Sequence, residues 1–399
     1  MNSSSLSKMS PGTPSGAPLE NFLLTLKREG KLYLAMAFYS AVLSAICVLK
    51  HRAFLTSGYD LGIFNQALWT TLYEHKLFYE TADLAFNPRG CFFGTHFSPI
   101  LFLVLPLYAL WPRPETLLVL QTLALASGVI PVYRMAQRRL GDKYSLAFAL
   151  VYLVYPPLIA VNLNDFHLQS FTSTFLLFAI YYMDVEDWRK FLLASVLAMS
   201  TMEAAPVLVF FMVLYGITLY LRGHFRRRRR ALRYLVAMAA ISVLWFALAL
   251  EVKKLVNPDS PYVPSHHAYL LKDPLMVLQV VPHDYGRKLV YVLDFLAPLA
   301  FIPLIDKSPL IMAVPWMAVS LTSLWAGHYF IYHQYNCFVL PAIFTSLITS
   351  LEKLKKMEVE MKGVFLVLML SLLISNMLFF IPSSPMDKSW MITTSVSQE

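Results

Sequence analysis

The chain has 399 residues, of which 57% are hydrophobic and only 14% charged, against about a quarter charged in soluble domains. So few charges cannot cover a water-facing surface, so lipid must cover much of it. The net charge of +9 lies in short basic segments between apolar runs. That is the positive-inside pattern of a membrane protein, and it excludes a nucleic-acid partner. The three cysteines, Cys47, Cys91 and Cys337, have no zinc-type spacing, and neither a phosphate-binding loop motif nor a nucleophile elbow is present.

Residues 1–30 read as a disordered cytoplasmic tail, its first twenty residues rich in Ser, Pro and Gly. The apolar run at 32–49 follows Lys27, Arg28 and Lys31. It is too long for the core of a cleaved signal, so a retained anchor is expected. Further runs lie at 98–111, 115–133, 144–161, 168–183, 190–204, 206–221, 233–250, 288–305, 309–326, 336–351 and 363–381.

Three connectors are strongly basic: Arg134/Arg138/Arg139/Lys143, Arg222 with Arg226 to Arg230 and Arg233, and Lys353/Lys355/Lys356/Lys362. The positive-inside rule puts all three in the cytoplasm with the N-terminus. Parity then requires that 98–111 stay on the outer side as a juxtamembrane or re-entrant helix. The expected fold is an all-α, polytopic transmembrane bundle of about 11 spans over residues 31–381. It has external loops at 50–114 and 251–287 and an external tail at 382–399. The pair 190–221 turns near Glu203, with Pro206 in the first turn of its second helix.

This layout brings Asp60, Asp83, His96, Asp165, His167, Glu203, His266, His267, His328 and His333 to the external side, which points to a site at the outer membrane face. Cys91 and Cys337 share that side and could form a disulfide.

Asp60 opens the helix DLGIFNQALW, whose Leu61, Phe64, Leu68 and Leu72 form one apolar stripe suited to the membrane interface. It is placed either to N-cap that helix or to act as a surface carboxylate that takes a proton or binds metal. His96, in Gly94-Thr95-His96, fits a phosphate or metal contact, or a hydrogen bond to backbone. Asp165 and His167 share a tight turn and fit either one ligand or solvent. Glu203 is the one acid in a long apolar stretch, where charge marks a function or a partner. Asp294 is a weaker case of the same kind, and either acid also fits a helix-packing hydrogen bond. The run Arg226 to Arg230 reads as an orienting signal that touches anionic headgroups.

DLGIFNQALW (60–69), HFSPILFLVLPLYAL (96–110), LLVLQTLALASGVIPVYRMAQRRLG (117–141), NDFHLQS (164–170), the polar break at Glu203 and HYFIYHQYNCFVLP (328–341) stand in order. Together they resemble an uncharacterised prokaryotic family defined only as a predicted membrane domain. Its layout is similar in turn to the GT-C superfamily of multi-span glycosyltransferases. That resemblance implies membrane lipids as surroundings, a polyprenyl-phosphate sugar donor and an acceptor presented outside the cell. Asp60, Asp165 and Glu203 are then the catalytic candidates, and Asp60 and Asp165 the ligands for a divalent metal such as Mg²⁺ or Mn²⁺. His96, His167, His328 and His333 are substrate-binding candidates. The chain departs from the family pattern where Met202 and Ala204 flank Glu203 and where Leu168-Gln169 follow His167. The competing readings are a transporter or lipid flippase, which predicts paired repeats and broken helices at the midplane, and a non-catalytic assembly factor.

Overall fold

The computed structural model describes residues 17–259, 267 and 269–380. His266 and the tail segments 1–16 and 381–399 lie outside the described residues. Among those described, the chain is helical, with no strand and one isolated bridge between Tyr79 and Cys91. In order come α1 (Ala17–Arg52), α2 (Leu61–Tyr73), α3 (Leu101–Ala109), α4 (Pro114–Ser127), α5 (Val129–Leu140), α6 (Asp142–Leu153), α7 (Pro156–Leu163), α8 (Gln169–Asp184), α9 (Trp188–Met199), α10 (Ala205–Leu221) and α11 (Arg228–Val256). Two one-turn helices, α12 (Tyr269–Lys272) and α13 (Val277–Val280), lead to α14 (Tyr285–Leu296), α15 (Val314–Leu321), α16 (Leu340–Lys356) and α17 (Met361–Phe380). Helix α1 starts at Ala17, so helix extends into the segment expected as tail.

Among the described residues, four helical stretches are long and apolar enough to cross a bilayer: Glu29–Arg52, Pro114–Leu140, Arg228–Val256 and Met361–Phe379. A fifth results if α6 and α7, bent by 42°, form one span. The bend falls at Tyr155-Pro156-Pro157, where a proline pair removes two amide donors. The apolar runs 288–305 and 309–326 fold as α14 and α15 joined by short 3-10 turns rich in proline, including Ile302–Ile305 and Ser308–Ala313.

Ion pairs sort the helix ends into two groups. At one end, Arg134 of α5 meets Glu29 of α1 at 2.8 Å. Arg139 of α5 joins Asp184 of α8 and Glu352 of α16. Lys353 of α16 meets Asp306 at 2.9 Å. At the other end, Lys50 of α1 meets Asp165 before α8, Arg52 meets Glu115 of α4, and Lys253 of α11 meets Glu203 before α10. Successive long helices therefore run between a basic end and an opposite end.

Helix α3 stays at the opposite end. It has nine residues, about 14 Å of helix against a hydrocarbon core of about 30 Å. Just before it, the Ile100 amide donates to the Ser200 carbonyl at 3.0 Å.

The stripe of α2 faces protein and not lipid. Leu61, Phe64 and Leu68 are buried and Leu72 partly so, in a cluster with Phe92, Leu101, Tyr108 and Phe166. The loop that follows α2 folds back over it, so the face that amphipathicity would give to the interface is covered. The proposed disulfide is absent: Cys91 and Cys337 are free. The Cys337 thiol is buried and donates to the Gln169 carbonyl at 3.0 Å, which ties it to α8 and away from the Tyr79 bridge that holds Cys91.

Candidate functional site

The site is built at the end opposite the basic connectors. Gln121, fully buried on α4, organises the turn from α7 to α8. Its side-chain amide donates to the Asp165 and Asn162 carbonyls, and its oxygen accepts from the His167 amide at 2.7 Å and the Ser170 hydroxyl at 3.2 Å. One buried amide thus satisfies four polar groups that would otherwise be costly there. It also holds Asp165 at a positive φ of 22°, a conformation that Asp tolerates better than most residues.

Asp165 is buried and its carboxylate points back to α1. It accepts from Lys50 Nζ at 3.3 Å and from the Ser57 amide at 2.5 Å. The Ser57 hydroxyl in turn accepts from the Tyr59 and Asp60 amides. Asp165 therefore positions the approach to α2.

Asp60 sits at the start of α2, but its side chain makes no capping hydrogen bond. That removes the capping role as its explanation. Its Oδ1 lies 3.2 Å from His167 Nε2, and its side chain is 41% exposed while that of His167 is 4% exposed. His167 Nδ1 lies 3.2 Å from the Asn164 carbonyl. With Nδ1–H donating to that carbonyl, Nε2 is turned toward Asp60. Burial alone would raise the Asp60 carboxyl, but His167, His333 and Lys50 outweigh it and hold it below the usual carboxylate range.

Glu203 lies in the turn between α9 and α10, paired with His96 Nδ1 at 3.1 Å and Lys253 Nζ at 2.8 Å. Burial opposes ionisation, yet those two partners bring its pKa down to about 2. His96 is more than a helix-start residue bound to backbone: its ring reaches the carboxylate and remains 38% exposed.

Two carboxylate–histidine pairs are thus joined by aromatic rings. Phe64 packs edge-on to His167 at 6.4 Å and against Phe92 at 5.1 Å, and Phe92 lies 5.8 Å from His96. Before α16, Tyr335 feels the charge of both Asp60 and Glu203; burial, then those charges, push its hydroxyl upward. His333 is brought down to about 4 by burial and the nearby His167, with Gln334 and Asp60 opposing. His328 is more remote. It is buried, hydrogen-bonded to the Ser323 hydroxyl at 3.0 Å, and packed between His267 and Tyr335. Asp83 accepts from the Tyr59 hydroxyl at 2.5 Å. Asp294 lies apart from the site, buried on α14 beside Phe295, whose carbonyl accepts from the Tyr155 hydroxyl.

Sequence reasoning missed Lys50, Gln121, Lys253 and Tyr335. A signal existed for the lysines. The positive-inside rule disfavours cations at the end where Lys50 and Lys253 fall, so each called for a carboxylate partner.

The donor set does not form a ready metal site. Among the described residues no three His, Cys, Asp or Glu side chains group to hold an ion. Asp165 has given its oxygens to Lys50 and Ser57, which leaves Asp60 as the only one of the two expected ligands open to a cation.

A helical chain with several apolar spans and a polar site at one end is an integral membrane protein. It belongs to the family described as predicted membrane protein (DUF2079), whose model matches residues 50–396. No curated protein matches the chain.

Proposed function

We propose that the protein is a membrane glycosyltransferase of GT-C-like architecture that moves a sugar from a polyprenyl-phosphate donor to an acceptor at the outer membrane face. The observation that carries this reading is Asp60: an ionised, half-exposed carboxylate that caps nothing and faces an imidazole. In the transfer, the acceptor hydroxyl gives its proton to Asp60 as its oxygen bonds to the anomeric carbon. The bond from that carbon to the phosphate oxygen breaks, and its electron pair leaves on the lipid phosphate. His167 orients Asp60. His96, exposed beside Glu203, faces the same end and can donate to the departing phosphate. Asp165 and Glu203 act as positioning groups. His328 and His333 border the acceptor side with Tyr335. No step is routed through a metal.

The membrane topology in this reading has eleven crossings: α1, α4–α5, α6–α7, α8, α9, α10, α11, α14 with its 3-10 turns, Ser308–Leu321, α16 and α17. Each runs between the basic end and the site end in this reading. The basic end faces the cytoplasm with the N-terminus, and the C-terminus is external. A non-catalytic assembly role is favoured by one observation, the neutralisation of Asp165 and Glu203 by internal cations.

The test is mass spectrometry of lipid that co-purifies with the protein. A polyprenyl-phosphate glycoside is the expected species. Purification with bulk phospholipid alone, together with no change in surface glycans on gene deletion, contradicts the transferase reading.

A further inference from the structure

Two of the three basic connectors are partly neutralised within the protein. Arg138 and Arg139 pair with Asp184, Arg139 also with Glu352, Lys353 with Asp306 and Lys356 with Glu352. The third differs. Among the described residues, none of Arg226 to Arg230 or Arg233 forms an ion pair with a carboxylate side chain. Glu186, the acid nearest in the fold, accepts from the Arg226 and Arg227 backbone amides. The guanidinium of Arg228 lies over the Tyr220 ring at 4.7 Å and that of Arg230 over Tyr234 at 5.8 Å.

The placement adds to the imbalance. Arg228, Arg229 and Arg230 form the first turn of α11, which holds no acid. The helix dipole already makes that end positive, so cations there repel it and anions are attracted. Arg226 to Arg230 are all exposed. Along the same helix, Leu232, Val236, Val243, Leu244 and Leu248 are exposed and apolar, on a candidate membrane span. Leu232 is one turn beyond Arg228, about 6 Å along the axis. The arginines therefore sit where the lipid-facing apolar surface ends, which is the depth of headgroup phosphates.

We propose that Arg226 to Arg230 and Arg233 form a binding site for anionic phospholipid headgroups at the N-terminus of α11. The lipid phosphates supply the counter-charge that the protein gives to part of its other basic connectors and withholds here. Guanidinium groups match phosphate oxygens in a bidentate fork, which lysines cannot do. The acyl chains then lie along the exposed apolar face of α11. This site is on the opposite end from Asp60 and stands independently of the transferase reading.

The experiment uses the full-length protein, delipidated in detergent and titrated with phosphatidylglycerol or phosphatidylcholine, with bound lipid counted by native mass spectrometry. Wild type is expected to retain phosphatidylglycerol preferentially. Arg226→Gln/Arg227→Gln/Arg229→Gln should lose that preference by roughly tenfold or more, given about fivefold per basic side chain at an anionic surface. Lys362→Gln, at another basic connector, should leave it unchanged. Should the triple Gln variant fail to insert, Arg226→Lys/Arg227→Lys/Arg229→Lys keeps the charge and the topological signal but removes the fork. It should retain less than half of the preference. Equal retention of the two lipids by wild type, or full preference in either triple variant, overturns the site. So does displacement of the bound lipid by inorganic polyphosphate at equal phosphate concentration, which would assign the site to soluble polyanions.

Discussion

Asp60 Oδ1 lies 3.2 Å from His167 Nε2, so the last residue of the α1–α2 connection meets the turn that opens α8. Asp165, two residues before His167, holds the Ser57 amide on that same connection. The two ends of one loop contact thus serve different purposes: Asp165 fixes the backbone and His167 orients the reactive carboxylate.

Removing the charge of Glu203 leaves Lys253 without its counter-charge. Glu203→Gln should destabilise the protein by roughly 1–3 kcal/mol, below the scale for a fully buried pair because both side chains keep some exposure. Lys253→Met should cost a similar amount. The double variant should cost less than the sum of the two, because it leaves no uncompensated pair. Thermal unfolding in detergent measures this, and strict additivity would mean that the 2.8 Å contact carries no coupling.

The pH dependence follows from two groups. The folded pKa of Glu203, about 2, is below the ordinary value of about 4.3. Its stabilisation is complete above the ordinary value and is lost as the pH falls through about 2. His333 is held at about 4, below its ordinary value of about 6.5. Between those values the unfolded chain binds the extra proton, so stability falls as the pH drops from about 6.5 to about 4. His333→Gln should flatten the melting temperature across that window and leave the steeper loss at lower pH. A wild-type melting temperature constant from pH 6.5 to 4 would contradict the burial of this imidazole.

The two-ended arrangement makes a labelling prediction. Cysteines introduced at Arg138, Arg228 and Lys355 should be shielded from an impermeant thiol reagent in intact cells. Those at Asp83 and Tyr332 should react. Labelling at both Arg138 and Asp83 would break the assignment of sides.

Much of this was legible in the sequence. Hydropathy located the helices, because a membrane helix must satisfy its own backbone and bury apolar side chains. Parity alone kept 98–111 on one side, and α3 has only nine residues, about 14 Å of helix. The convergence of Asp60, His96, Asp165, His167 and Glu203 at one end also followed from the basic connectors. Their pairing did not, because partners such as Lys50 with Asp165 or Lys253 with Glu203 are joined only by packing of distant helices. The cation beside Glu203 comes from far along the chain, from Lys253 of α11. The α2 stripe misled because amphipathicity tells which face is apolar, not whether protein or lipid covers it.

The central claim is that Asp60 acts through its charge and not as a helix cap. A strain lacking the gene, rescued with wild type or Asp60→Asn, tests it through cell-surface glycans and glycolipids, with expression and melting temperature measured alongside. Asparagine caps about as well as aspartate, so the account predicts unchanged expression and stability with product reduced ~10²-fold or more, the scale of general-base catalysis. Equal rescue by Asp60→Asn and wild type would contradict it.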